Sequence, residues 1–218
     1  MVVVSAGKQW LCNLFPPAND PFVITVGATD DKATASIADD TVTTFSAYGV
    51  TEDLLDKPEL VAPGKDIVSL SSGRASILGK THSANKVGAS YFRMSGTSMA
   101  APIVSGAVAL LLQDEPNLTP DQVKFRLLAT ANRSWPGYNP LTAGSGYLDV
   151  YAAVKGTSTQ SANTGIPASQ LLWTGPEPVA WGSVGWNSVG WNSVGWNSVG
   201  WNSVGWNSVG WNSTYWGK

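Results

Sequence analysis

The residue of this sequence best placed to do chemistry is Ser98, in Met94-Ser95-Gly96-Thr97-Ser98-Met99-Ala100-Ala101-Pro102. The run from Ser98 to Gln113 is small and apolar almost all round, which predicts a core helix with Ser98 in its first turn. Backbone N–H groups there lack intrahelical acceptors and the helix dipole favours negative charge, so an attacking oxygen and the oxyanion it creates are both favoured. Ala100 and Ala101 are small enough to let substrate approach. Serine is also a good helix cap, and on spacing alone that plainer role ranks first. A serine nucleophile needs a base. The single histidine, His82, lies in hydrophilic Lys80-Thr81-His82-Ser83, where an exposed loop residue is the default. Cys12 is the single cysteine, which leaves no intrachain disulfide and no CxxC or metal motif; it reads as a small buried residue.

The elements that must hold Ser98 alternate. Val2-Val3-Val4, Phe22 to Ala28 and Leu60-Val61-Ala62 are β-branched or apolar runs closed by glycine, proline or aspartate, and Ile67 to Leu70 follows the third; Thr44-Phe45-Ser46 is a candidate edge strand. Thr119-Pro120-Asp121-Gln122 carries a capping box with proline at the first helical position, predicting a helix to about Ala131. A short helix is expected over Val150 to Val154. Strands alternating with helices point to an α/β domain, a parallel sheet covered on both faces.

Charge excludes some partners. Residues 1–155 hold nearly all the charged side chains and 178–217 hold none, with a net charge of −2. Nothing here attracts nucleic acid or an anionic membrane. The longest apolar run, Ala107 to Leu112, is far short of the ~18 residues of a membrane span, and Met1 to Ser5 lacks the features of a signal peptide.

Gly96-Thr97-Ser98-Met99-Ala100-Ala101-Pro102 resembles the nucleophile motif of the subtilisin-like serine proteases. The surrounding landmarks keep the family order: Val2 to Gly7, Val23 to Ala28, Phe45-Ser46 with Gly49, Leu60 to Gly64, and Gly144 to Asp149. The resemblance covers about residues 2–154 and implies the C-terminal part of a subtilisin-like three-layer, parallel-sheet domain. It implies a serine endopeptidase in which Ser98 is acylated and its backbone N–H helps form the oxyanion hole. Ser5, Ala6 and Gly7 match one wall of the pocket for the residue before the scissile bond. Lys8 stands at the family's oxyanion asparagine. The family's catalytic Asp and His motifs have no counterpart here, so the expectation is a piece that is inactive alone and partnered by the missing N-terminal half. Peptide or protein is the implied substrate, secretion or the cell surface the implied location. No cofactor is needed for the chemistry, and structural calcium is left open.

Residues 156–180 read as a linker, and 181–218 as a repeat tail. Trp181, Trp186, Trp191, Trp196, Trp201, Trp206, Trp211 and Trp216 recur at a spacing of five in Trp-Asn-Ser-Val-Gly units. That period matches neither helix nor strand. Three roles stay open: a low-complexity extension, self-association through stacked repeats, or polysaccharide binding through tryptophan faces. The alternative class for the whole chain is a non-catalytic structural or adhesive protein built on a relic protease half-domain.

Overall fold

The computed structural model describes residues 1–8, 14–51, 54–73 and 76–166; Cys12 and the tryptophan repeat lie outside them. The chain divides into a unit spanning Met1–Thr164 and a second spanning Gly165–Lys218. In chain order the strands of the first unit are β1 (Val3–Ser5), β2 (Ile24–Asp30), β3 (Thr41–Val42), β4 (Gly49–Val50), β5 (Asp56–Lys57), β6 (Leu60–Pro63), β7 (Ile67–Leu70), β8 (Lys86–Val87) and β9 (Tyr91–Met94). Its helices are α1 (Ile77–Thr81), α2 (Thr97–Asp114), α3 (Pro120–Thr130), α4 (Pro140–Ala143) and α5 (Val150–Lys155).

Every residue of β2 is buried, as expected of a central strand. It pairs parallel with β1, from Val3↔Ile24 to Ser5↔Val26, and parallel with β6, from Val26↔Leu60 to Thr29↔Pro63. At its far end β2 takes β3 antiparallel, through Thr29↔Val42 and Asp30↔Thr41. The edge strand is therefore β3, not the Thr44–Ser46 expected from sequence. Residues 44 and 45 form a turn, because the side chains around it take over the pairing. Ala28 N–H donates to Ser46 Oγ at 3.0 Å, and Thr43 Oγ1 donates to Ala28 O at 3.1 Å. A separate antiparallel sheet, β7–β9–β8, precedes α2.

Ile24, Val26 and Ala28 face α2, which meets them with Ala100, Val104, Ala107, Val108 and Leu111 at helical spacing. Burying each Val or Leu side chain contributes roughly 1.5–3 kcal/mol, so this seam dominates the core. The expectation of a helix buried all round fails among the described residues. Pro102, Ser105, Gly106, Ala109 and Leu110 are exposed on the opposite side. By length and composition α2 would pass for a membrane span, but its buried face packs on the sheet. α3 forms where the capping box placed it. Gln122 N–H donates to Thr119 Oγ1 and Thr119 N–H donates to Gln122 Oε1. The other face of the sheet is covered by Trp135, Ala143 and Tyr147, which come from loops and the single-turn α4 rather than from a layer of long helices.

A buried charge cluster joins these layers. Glu59 Oε1 accepts from both Lys57 Nζ and Lys124 Nζ, and Glu59 Oε2 accepts from Thr25 N–H. The two ammonium groups also donate to the carbonyls of Asp20, Pro21 and Val23, which fixes the segment entering β2. Burial pushes the Lys57 ammonium below its ordinary range, with Glu59 opposing the shift. After α5 the chain does not leave as a free linker. Arg126, fully buried, donates to the carbonyls of Gly156 and Ser158, and Asp121 holds Ala162 and Asn163. Replacing Glu59 by Gln strips the counter-charge from two buried lysines and is expected to destabilise the chain by about 3–5 kcal/mol. Urea unfolding of Glu59→Gln beside the parent measures this, and the triple change of Glu59, Lys57 and Lys124 to Met should recover most of the loss.

Candidate active site at the start of α2

Three chain segments converge at the carboxyl ends of β1 and β6, where ligands of open α/β sheets bind. After β1, Ala6 is buried and its N–H continues the ladder to Val26 O at 2.9 Å. Gly7 then turns with φ +105°, a conformation costly for any residue with a Cβ. The turn aims both polar groups of Gly7 at Thr97. Gly7 N–H donates to Thr97 Oγ1 at 3.1 Å, and the same hydroxyl donates to Gly7 O at 3.2 Å. After β6, Gly64 O accepts from Gly96 N–H at 2.8 Å. A Cβ on Gly64 would lie 2.6 Å from Ala28 Cβ and 2.9 Å from Gly96 O, so only glycine allows this approach. Asp66 N–H donates to Ser95 Oγ at 2.8 Å and holds the other side of the turn.

Ser98 is the second residue of α2 and is exposed, whereas its neighbour Thr97 is 1% exposed. The N–H groups of Met99 and Ala100 turn back to Gly96 O. Among the described residues the N–H and Oγ of Ser98 have no hydrogen-bond partner. The result is an accessible hydroxyl and an open donor at the positive end of an 18-residue helix. Such an arrangement can stabilise an oxyanion but supplies no proton acceptor.

The other candidates fall into two groups. Ser5, Ala6, Gly7 and Lys8 run along one side of the α2 start. Lys8 is exposed and lies against Gly96: its Cε and Nζ stand 3.0 and 3.5 Å from where a Gly96 Cβ would be. Its ammonium rests 5.9 Å over the Phe45 ring, a cation–π contact that holds the positive charge beside the helix start. His82 is elsewhere, exposed at the C-cap of α1, its N–H donating to Leu78 O; no hydrogen bond joins it to Ser98. Thr97 was missed from sequence as a positioning residue, although it stands inside the motif that singled out Ser98. Among the described residues no cluster of His, Cys, Asp and Glu forms a metal site.

An exposed serine in the first turn of a helix packed on a mainly parallel sheet sets an α/β architecture, which fixes no reaction by itself. Comparison makes the class specific. Residues 1–166 match the Subtilase family. The chain is 47% identical over 134 residues to serine protease AprX of Bacillus subtilis, covering 62% of this chain and 30% of that protein. It is 34% identical over 152 residues to Mycosin-4 of Mycobacterium tuberculosis, covering 68% of this chain and 29% of that one. Fervidolysin of Fervidobacterium pennivorans, a keratinolytic enzyme related to subtilisin, superposes with a TM-score of 0.56 at 34% identity, over 72% of this chain and 23% of its own. This protein belongs to the subtilase family, and it spans less than a third of the length of these relatives.

The Thr97–Gly7 pair yields a stability prediction. Thr97→Val orphans the part-buried Gly7 N–H and should cost about 1–3 kcal/mol, while Thr97→Ser, which keeps the hydroxyl, should cost less than about 1 kcal/mol. Equilibrium urea unfolding of the two variants distinguishes them.

Proposed function

We propose that this chain carries the nucleophile of a subtilisin-like serine endopeptidase, with the base and its orienting carboxylate contributed by sequence outside these 218 residues. The observation that carries this reading is Ser98: an exposed hydroxyl in the first turn of α2, with its own N–H open, on a helix start clamped to β1 and β6. A histidine placed against Ser98 Oγ takes its proton as the oxygen attacks a peptide carbonyl. The tetrahedral oxyanion lies at Ser98 N–H and the helix dipole, the amine leaves with the histidine's proton, and water then releases the acyl group. Ser5, Ala6 and Gly7 would line the pocket for the residue before the scissile bond. Lys8, at the family's asparagine position, would bring a charged donor to the oxyanion in place of an amide. A further departure sets the limit of the chain's own activity. His82 is its single histidine and sits on the α1 segment, so Ser98 by itself has no base. An extracellular location is implied by the family resemblance.

The test is burst release from a chromogenic peptide ester. The 218-residue chain alone should show none. Mixing it with the preceding portion of AprX, which would carry the missing acid and base, should produce a burst that Ser98→Ala removes. A burst from the chain alone, lost in Ser98→Ala, would place a base within it. No burst in any mixture, with co-purification showing that the two pieces do associate, would remove Ser98 from the role of nucleophile. In the active mixture Lys8→Ala is expected to lower kcat about 10²–10³-fold, the loss of one oxyanion donor.

A further inference from the structure

The segment that enters β2 turns its main-chain oxygens inward. Asp20 bends it, its carboxylate accepting from Phe22 N–H at 2.7 Å. The carbonyls of Asp20, Pro21 and Val23 then meet two ammonium groups that share Glu59 Oε1. Lys124 Nζ donates to Pro21 O at 2.6 Å, to Val23 O at 2.9 Å and to Glu59 Oε1, which uses all three of its protons. Lys57 Nζ donates to Asp20 O at 2.8 Å and to Glu59 Oε1 at 2.6 Å. Lys124 and Lys57 are 3 and 2% exposed. Four oxygens gathered in so dry a place, one of them anionic, need positive charge among them. An ordinary ion pair joins one cation to one carboxylate. Here the ammonium of Lys124 is ringed by oxygens as a coordinated ion is.

We propose that these four oxygens form a cation-binding cage, which the chain fills with its own ammonium groups and which takes a potassium or ammonium ion when one of them is withdrawn. Carbonyl and carboxylate oxygens suit alkali and alkaline-earth ions. Size then selects among these. The oxygens stand 2.6–2.9 Å from the nitrogens, whereas calcium and magnesium hold theirs at about 2.3–2.6 Å and about 2.0–2.1 Å. Charge selects the same way. With either lysine gone, the other faces Glu59, and a monovalent ion restores the original balance. A divalent ion would set an extra positive charge beside a buried ammonium. The Glu59 side chain, 11% exposed, marks the side from which a small ion enters. A tethered ammonium needs no association step, so the entry to β2 in the parent is indifferent to the ions in solution. The cage lies at the opposite end of β2 from the carboxyl-end site around Ser98, and the inference does not rest on the proposed reaction.

The test compares unfolding midpoints of the full chain in tetramethylammonium, potassium, ammonium and calcium chlorides at one ionic strength. Lys124→Ala vacates the larger part of the cage. Potassium or ammonium should raise its midpoint by about 5 °C or more over tetramethylammonium, which is too large to enter, and the rise should saturate with concentration. The parent should show no such difference, nor should the variant with Glu59, Lys57 and Lys124 all changed to Met, which has no cage. Lys57→Ala reads the same rescue should Lys124→Ala not fold. The proposal is overturned if neither single variant gains selectively, failure of both to fold included. It is equally overturned by a rise of the same size in the parent or the triple variant, or by a rise with calcium alone.

Discussion

A single hydroxyl, Thr97 Oγ1, joins the sheet to the helix that presents Ser98. It accepts from Gly7 N–H and donates to Gly7 O, so it fixes the end of β1 and the first turn of α2 at once. Gly64 does the same from β6, by permitting an approach to Gly96 that any side chain would block. Because the strands are set by burial on α2, the clamp transfers the precision of the core to a surface residue. An exposed side chain on a loop would have no such reference. Ser98 stays accessible while the backbone around it is held from two sides.

The same arrangement accounts for an asymmetry in the site. The parts that come from packing are present: helix start, open N–H, and turn after β1. Among the described residues no proton acceptor is hydrogen-bonded to Ser98 Oγ. Lys8 adds positive charge beside a helix start whose dipole is already positive, a combination that suits an anion. Its long stem lies against Gly96, and a side chain at that glycine would displace it.

Much of this was legible in the sequence where the signal was local. The capping box at Thr119 located α3, and the β-branched runs located β1, β2 and β6. Ser98 stood out through its motif. The one-sided burial of α2 was not legible, because its outward residues are as small and uncharged as its inward ones. The strand expected at Thr44–Ser46 lies at Thr41–Val42, since Thr43 and Ser46 bond to β2 with side chains that mimic a ladder. The Glu59 cluster and the Ser95–Asp66 contact join residues 29 to 65 positions apart, beyond any periodic pattern. Family resemblance supplied the roles of Ser5, Ala6, Gly7 and Lys8; the structure adds their proximity to α2.

The strap from Gly156 to Asn163 also has a mechanical meaning. Arg126 and Gln122 hold its carbonyls, and Asp121 holds its last residues. These bonds are spread along α3, so tension applied beyond residue 164 would load them in turn as a shear series before reaching α5. The Gln122–Thr159 bond is exposed, whereas the Asn163–Asp121 bond and the Arg126 bonds are part-buried. Arg126, buried and bonded to Glu115 as well, would act as the final stop. The helix that presents Ser98 would thus be shielded from pulling at the C-terminal side by the strap's bonds to α3, which can re-form once the load is released.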